Sequence, residues 1–348
     1  MAHNQESGEE YTPGVLVGLD GSAGAERAFS VALMVAQKRG WPLRLVEAFT
    51  RPVMVDDYNA QAIEYYLHGA AEEVQARLDR YAERASDAGV TATTRTFDGD
   101  ASKVLVEESE TAHLAVVGKR GRNRFAGRVL GSVSAKLAAH AHCPTLVVPE
   151  KWVSESAEVL LAPAQHVASG DAAEQEPLTV LEQSAPAQDH RRSFRNVADE
   201  LNFDSEIVVG VDVRAPATEI AHLAAEAAAL TERPLTLVAA ETLNAQGWYP
   251  DAEQHHTELA NVRRGYIEHL EGIAAELSEK TPDVPVRWQF FHGSAAGVLA
   301  EASRTAALIT VGTRGHGGFT GLLLGSVSQA VLNRSTCPVL VIPTSPEV

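Results

Sequence analysis

The sequence is poor in sulfur and in aromatic residues: 2 cysteines, 3 methionines and 6% aromatics among 348 residues. Two cysteines exclude a disulfide-built scaffold and a thiol-rich metal centre. Cys143 and Cys337 each precede a proline and read as small buried core residues. No run approaches the roughly 18 apolar residues of a membrane-spanning helix. The start, MAHNQESGEEYTPG, lacks the basic and apolar segments of a signal peptide. These two absences give the expectation of a cytoplasmic protein with no membrane partner. Positive charge is also scarce, 29 Lys and Arg against 46 Asp and Glu, for a net charge of −17. That balance argues against nucleic acid or an anionic membrane as the main partner. The best-known phosphate motifs are missing too: no Gly-x4-Gly-Lys-Ser/Thr, no Gly-x-Gly-x-x-Gly after a strand, and no His-x-Gly-His.

What is present is a duplication. Residues 115–149 return as residues 309–343, offset by 194 without a gap, and 16 of the 35 positions are identical. A repeat of this kind sets the domain count before any other argument. Each half alternates short Val/Leu/Ile-rich strands with helical patterns. In the first half the strands fall at Val15–Leu19, Leu43–Phe49, Val90–Phe97, Leu114–Val117 and Thr145–Val148. Helices lie between them at 23–39, Gln61–Ala88, Ser102–Thr111 and Ser132–His140, with Gly40 and Gly89 as stop signals. The second half repeats the order, with strands at Ile207–Val211, Leu235–Ala240, Val284–Phe291, Leu308–Val311 and Val339–Ile342. Its helices fall at Thr218–Leu230, His255–Lys280 and onward from Ala295.

Such alternation implies an α/β protein: two doubly wound domains, each a parallel sheet with helices on both faces. The domains read as 13–150 and 205–344, with 1–12 as a flexible N-terminus. Residues 151–204, rich in Ala, Gln, Asp, Glu and Pro, read as a flexible linker. Within it, VLEQ and FRNVADELNF carry enough apolar residues for part to dock as a short helix.

Both repeat copies keep a Gly-x2-Gly-x9-Gly-Ser skeleton between a strand and a helix. It comprises Gly118, Gly121, Gly131 and Ser132 in the first, and Gly312, Gly315, Gly325 and Ser326 in the second. Glycines let a backbone approach a ligand closely, and a helix start offers unpaired N–H groups with a partial positive charge. With Ser132, Ser134, Ser326 and Ser328 as hydroxyl donors, this is a pattern suited to phosphate. Asp20 and Asp212 end the first strand of each half, close to where a wound sheet binds its ligands. Asp20 before Gly-Ser also suits a turn or helix cap. His140, His142 and Cys143 do not read as a metal site, because the second copy has Arg334, Thr336 and Cys337 there. His255-His256, Asp56-Asp57 and Glu72-Glu73 read as solvated charge.

The segment Val-Gly-Leu-Asp-Gly-Ser at 17–22, the two glycine loops and the two Cys-Pro-x-Leu-Val-x-Pro endings resemble the universal stress protein family in its tandem form. That resemblance spans about 15–149 and 206–343 and implies five parallel strands in the order 3-2-1-4-5. It further implies an adenine nucleotide, ATP or ADP, with its base near strand two and its phosphates on the glycine loop. The two final strands would pack together, so that the chain forms a pseudo-dimer, with a homodimer also open. Carried over by position, Gly18 leaves the ligand room, and Asp20 meets the ribose or a nucleotide-bound Mg2+. Gly118, Lys119, Arg120, Gly121, Arg122, Asn123 and Arg124 cradle the phosphates with Gly131, Ser132, Val133 and Ser134. In the second half these roles pass to Gly210, Asp212, Gly312, Thr313, Arg314, Gly315, His316, Gly317 and Gly318 with Gly325, Ser326, Val327 and Ser328. There Val213-Arg214-Ala215-Pro216 stand where the first half has Gly-Ser, so the turn differs.

No nucleophile arrangement, and no His or Glu beside the motif, suggests designed turnover. The reading is a nucleotide-binding stress or signalling protein that acts by changing conformation or protein partner. The alternatives are a slow ATPase and an interaction module that has lost its ligand. Neither the partner nor the regulated process is written in the sequence.

Overall fold

The computed structural model describes residues 12–49, 60–121, 130–150, 152, 179–184, 197–204, 206–213, 217–242, 252–313 and 324–344. The first half runs β1 (Val15–Gly18), α1 (Ala23–Arg39), β2 (Leu43–Phe49), α2 (Ala60–Asp87) and β3 (Ala92–Asp98). It continues with α3 (Ala101–Glu108), β4 (Leu114–Gly118), α4 (Ser132–His140) and β5 (Thr145–Val148). After β6 (Thr179–Gln183), the second half repeats this order. It comprises β7 (Ile207–Gly210), α5 (Ala217–Thr231), β8 (Leu235–Glu241), α6 (Ala252–Lys280), β9 (Val286–His292), α7 (Ala295–Ala302), β10 (Leu308–Gly312), α8 (Ser326–Arg334) and β11 (Val339–Ile342).

All these strands join one eleven-stranded sheet in the order β3-β2-β1-β4-β5-β11-β10-β7-β8-β9-β6. Within each half the five strands are parallel and run 3-2-1-4-5. The halves meet where β5 and β11 pair antiparallel, Leu146 opposite Leu340. Both strands are four apolar or β-branched residues, buried throughout, so an unpaired edge there would bury open backbone groups. One chain thus supplies both members of the pseudo-dimer. Across the seam, Lys38 Nζ donates to the Leu230 carbonyl at 2.9 Å and Arg39 pairs with Glu226 at 3.1 Å.

Local chemistry explains the element ends. Ser22 caps α1 by accepting from the Ala25 amide at 3.1 Å, and Gly40 leaves the helix in the left-handed region at φ 66°. Ser22→Ala is expected to destabilise the fold by about 1 kcal/mol in urea unfolding, the ordinary worth of such a cap.

The linker departs from expectation. VLEQ does not form a helix; it lies in β6, antiparallel to β9, with an irregularity between Val180 and Glu182. The reason is the open edge of β9, which β6 closes, while Arg263 donates to the Leu181 carbonyl at 2.9 Å. Of FRNVADELNF, Asp199–Leu201 makes one 3₁₀ turn, and Phe203 is fully buried with its amide donating to Thr305 Oγ1 at 2.9 Å. Trp152, just past β5, is buried as well. Residues 153–178 and 185–196 of the linker lie outside the described residues, as does the N-terminus through residue 11.

Candidate functional site

Sheet geometry brings the carboxyl ends of β1, β2 and β4 together, and above them opens a cleft of about 600 Å³. This is the switch point of the first half's winding, where β1 neighbours both β2 and β4. Gly18, Asp20, Gly118, Arg120, Gly121, Gly131, Ser132, Val133 and Ser134 all line it. Separate stretches of the expected set therefore converge on one cavity.

Close packing explains the glycines. A Cβ on Gly118 would stand 2.6 Å from the Gly24 carbonyl carbon, so only glycine lets α1 sit against the end of β4. A Cβ on Gly121 would run into the Asp20 carboxylate, so the loop backbone passes directly over that side chain. Gly18 lines the cleft and also packs against a helix: a Cβ there would meet Leu105 of α3 at 2.7 Å. Gly210 repeats this against Leu299 of α7, also at 2.7 Å.

Asp20 serves the turn and faces the cleft together. Its Oδ1 accepts from the Ser22 amide at 2.9 Å, fixing the carboxylate beside Gly121, while Ser22 rather than Asp20 caps α1. Helices α1, α3 and α7 have their first amides satisfied by Ser22, Asp100 and Ser294. By contrast α4 and α8, which follow the two glycine loops, begin at Gly131 and Gly325 with no side-chain cap. Those amide ends carry partial positive charge toward the loops.

Several expected contacts go elsewhere. Ser134 and Ser328 are buried and donate inward, Ser134 to the Lys119 and Gly131 carbonyls at 3.0 Å and Ser328 to the Gly312 carbonyl at 2.6 Å. Their position in the first turn aims these hydroxyls back at the strand end, so they brace the loop. Ser132 and Ser326 are exposed at the helix starts. Lys119 is buried and turns away from the cleft; its Nζ donates to the carbonyls of Asn333 and Ser335 in the second half, both at 2.9 Å. Burial, with Arg120 nearby, pulls the Lys119 ammonium down to about 8 from an ordinary 10.5. Between pH 8 and 10.5 the native state therefore binds fewer protons at Lys119 than the unfolded chain does, and stability gains with rising pH. That gain is expected to disappear in Lys119→Met, as read from urea midpoints on either side of the folded-state value. Arg122, Asn123, Arg124, Arg314, Gly315, His316, Gly317 and Gly318 lie outside the described residues.

The far wall of the cleft is lined by Arg77 and Glu73, which the motifs did not mark, and Arg77 in turn holds a carboxylate behind the wall. Glu47, buried in β2, is gripped by Arg77 of α2 through Nε at 2.9 Å and Nη2 at 2.7 Å. This bidentate partner also raises the Arg77 guanidinium above its usual range. Glu73, read as solvated charge, stays exposed yet reaches the rim and sits 3.5 Å from Arg77. Val46, Ala48 and Phe49 give the same wall an apolar surface. One signal was available: Glu47 is the lone carboxylate in a strand whose other residues, Arg44 apart, are apolar.

The second half keeps part of this frame. The Gly325 amide donates to the Thr313 carbonyl at 2.6 Å, as the Gly131 amide does to that of Lys119 at 2.9 Å, and Asp212 follows β7 as Asp20 follows β1. Its wall differs: Ala239 stands where β2 has Glu47, and Tyr266 Oη donates to Glu241 at 2.6 Å. Cys143 and Cys337 are free and buried, and burial pushes both thiols up to about 12. Among the described residues no helix is long and apolar enough to cross a membrane.

Comparison with known proteins gives a consistent set of relatives. The model of the universal stress protein family matches residues 14–149 and 205–343. A universal stress protein of Mycobacterium tuberculosis is 28% identical over 363 aligned residues, covering 98% of this chain and 99% of its own length. One from Mycolicibacterium smegmatis is 28% identical over 347, covering 97% and 98%. Among solved structures, a universal stress protein from Archaeoglobus fulgidus aligns with a TM-score of 0.57 at 19% identity, over 95% of this chain and 98% of that one.

Proposed function

The chain belongs to the universal stress protein family, and from that premise we propose that its first cleft binds an adenine nucleotide, ATP or ADP. The observation that carries the reading is the cleft of about 600 Å³ with the uncapped start of α4 on one side and the apolar end of β2 on the other. Its volume is in the usual range for small-molecule sites, about 300–1,000 Å³. Phosphates would take the amides of Ser132 and Val133 at the start of α4 and those of Arg120 and Gly121 in the loop, with the Arg120 guanidinium adding charge. The base would lie along Val46, Ala48 and Phe49. Asp20 is placed to meet the ribose or a Mg2+ carried by the phosphates.

Binding without designed turnover is the mode this arrangement favours. Hydrolysis needs a base that positions a water in line with the leaving group. Asp20 Oδ1 is engaged by the Ser22 amide, and Glu73 is drawn toward Arg77. The protein's output is then a nucleotide-dependent change in its loops or in a protein partner. Occupancy of the second half, through Asp212, Gly325 and Ser326, belongs to the same proposal.

Equilibrium dialysis with labelled ATP, together with a released-phosphate assay, separates the readings. Retained nucleotide without phosphate release is expected. Multiple turnovers would make the protein an ATPase, and no retention would make it an interaction module.

A further inference from the structure

One residue of the first glycine loop joins the two halves. The Lys119 amide donates to the Val148 carbonyl at 2.7 Å, and its carbonyl accepts from the Gly131 amide at 2.9 Å and Ser134 Oγ at 3.0 Å. Its backbone thus ties the end of β4 to the start of α4, closing the loop at its base. The side chain leaves the half altogether and ends on the carbonyls of Asn333 and Ser335, at the C-terminus of α8. The partial negative charge of the helix end offsets part of the cost of burying the ammonium there. Asn333 makes a second link: its Oδ1 accepts from the Leu130 amide at 3.0 Å, the residue just before the first turn of α4. Asn333 therefore grips both ends of the first loop, through Lys119 at one end and Leu130 at the other.

Among the described residues the second half has no such grip. Thr313 occupies the position of Lys119, and its hydroxyl pairs with that of Thr344 at 2.9 Å within its own half. The position of Asn333 is Ala139 in α4, which has no acceptor side chain. Among the described residues the brace therefore runs from the second half to the first and not back.

We propose that Asn333 is a positioning residue for the first nucleotide site, so that this site is completed by the second half of the chain. This rests on the nucleotide reading above. By fixing Leu130, Asn333 sets where the first amides of α4 point, and those amides are the ones offered to phosphate.

Two measurements on the full chain test it. Without nucleotide, Asn333→Ala is expected to speed hydrogen exchange at the Leu130 amide by tenfold or more. Asn333→Asp, which keeps the acceptor oxygen, restores the protection. With ATP, Asn333→Ala is expected to weaken binding about tenfold, the net worth of one hydrogen bond. In a Gly121→Val background, which blocks the first cleft, the same substitution leaves the remaining ATP binding unchanged. Asn333→Ala with wild-type exchange and wild-type ATP affinity would overturn the inference. So would an affinity loss that persists in the Gly121→Val background, since that places the effect in the second half. A wild-type chain that retains no ATP overturns the nucleotide reading and this inference with it; the exchange result shows separately whether the brace exists.

Discussion

A chain carrying Gly121→Val and Gly131→Val is expected to fold normally and to lose ATP from the first cleft. A valine side chain at the first of these positions would occupy the space of the Asp20 carboxylate, forcing either that carboxylate or the loop out of the cleft. A Cβ on Gly131 would stand 3.2 Å from the Lys119 carbonyl and 3.3 Å from Ser134 Oγ, tight enough to shift the start of α4. Neither position fills the core, and Gly131 has φ −67°, which valine can adopt, so stability should change by less than about 1 kcal/mol. Dialysis should then show the first equivalent of ATP weakened by a factor of about 100 or more, as expected when a phosphate cradle is sterically filled. Unchanged binding with an unchanged urea midpoint would remove the first cleft from the account.

The largest effect on stability is expected at the opposite wall. Arg77→Met takes from buried Glu47 its bidentate partner, and both short hydrogen bonds to the carboxylate go with it. Taking the bidentate guanidinium from a buried carboxylate costs up to about 3–5 kcal/mol, whereas replacing both members of such a pair by apolar residues is often neutral. The double variant Glu47→Leu with Arg77→Met should therefore recover most of the loss. Urea unfolding of the two singles and the double gives the interaction directly. A single Arg77→Met within about 1 kcal/mol of wild type would show that solvent already screens the pair. Arg77 also lies under the turn at Gly21, where an added Cβ would be 3.0 Å from its Cδ. The variant should thus loosen the Asp20 turn, and ATP affinity should fall with stability.

The fold is legible in the sequence because its punctuation is local. Gly40 and Pro42 after α1, Gly89 after α2 and the duplicated segment itself mark where elements end without knowledge of their neighbours. VLEQ is not legible, because four residues cannot declare strand or helix. Its conformation follows from β9, whose Phe291 pairs with Val180 from far along the chain. The site divides in the same way. The glycine spacing brings Gly118, Gly121 and Gly131 to one cleft, since backbone clearance is a property each position carries alone. Side-chain direction is not: Lys119 finds its acceptors 214 and 216 residues further on, across a seam that only the assembled sheet creates. Ser134 has the residue type of a phosphate donor, yet helix geometry turns its hydroxyl onto the loop it belongs to. Arg77 sits in a helix whose polar pattern reads as surface, and only the burial of Glu47 beneath it shows what it holds.

Native mass spectrometry of the chain in millimolar Mg-ATP tests the central claim most directly. Adducts of intact adenylate are expected on the wild-type chain, with one equivalent missing from the Gly121→Val, Gly131→Val variant at the same charge states. A wild-type chain that flies bare at every nucleotide concentration, while remaining folded, would contradict it.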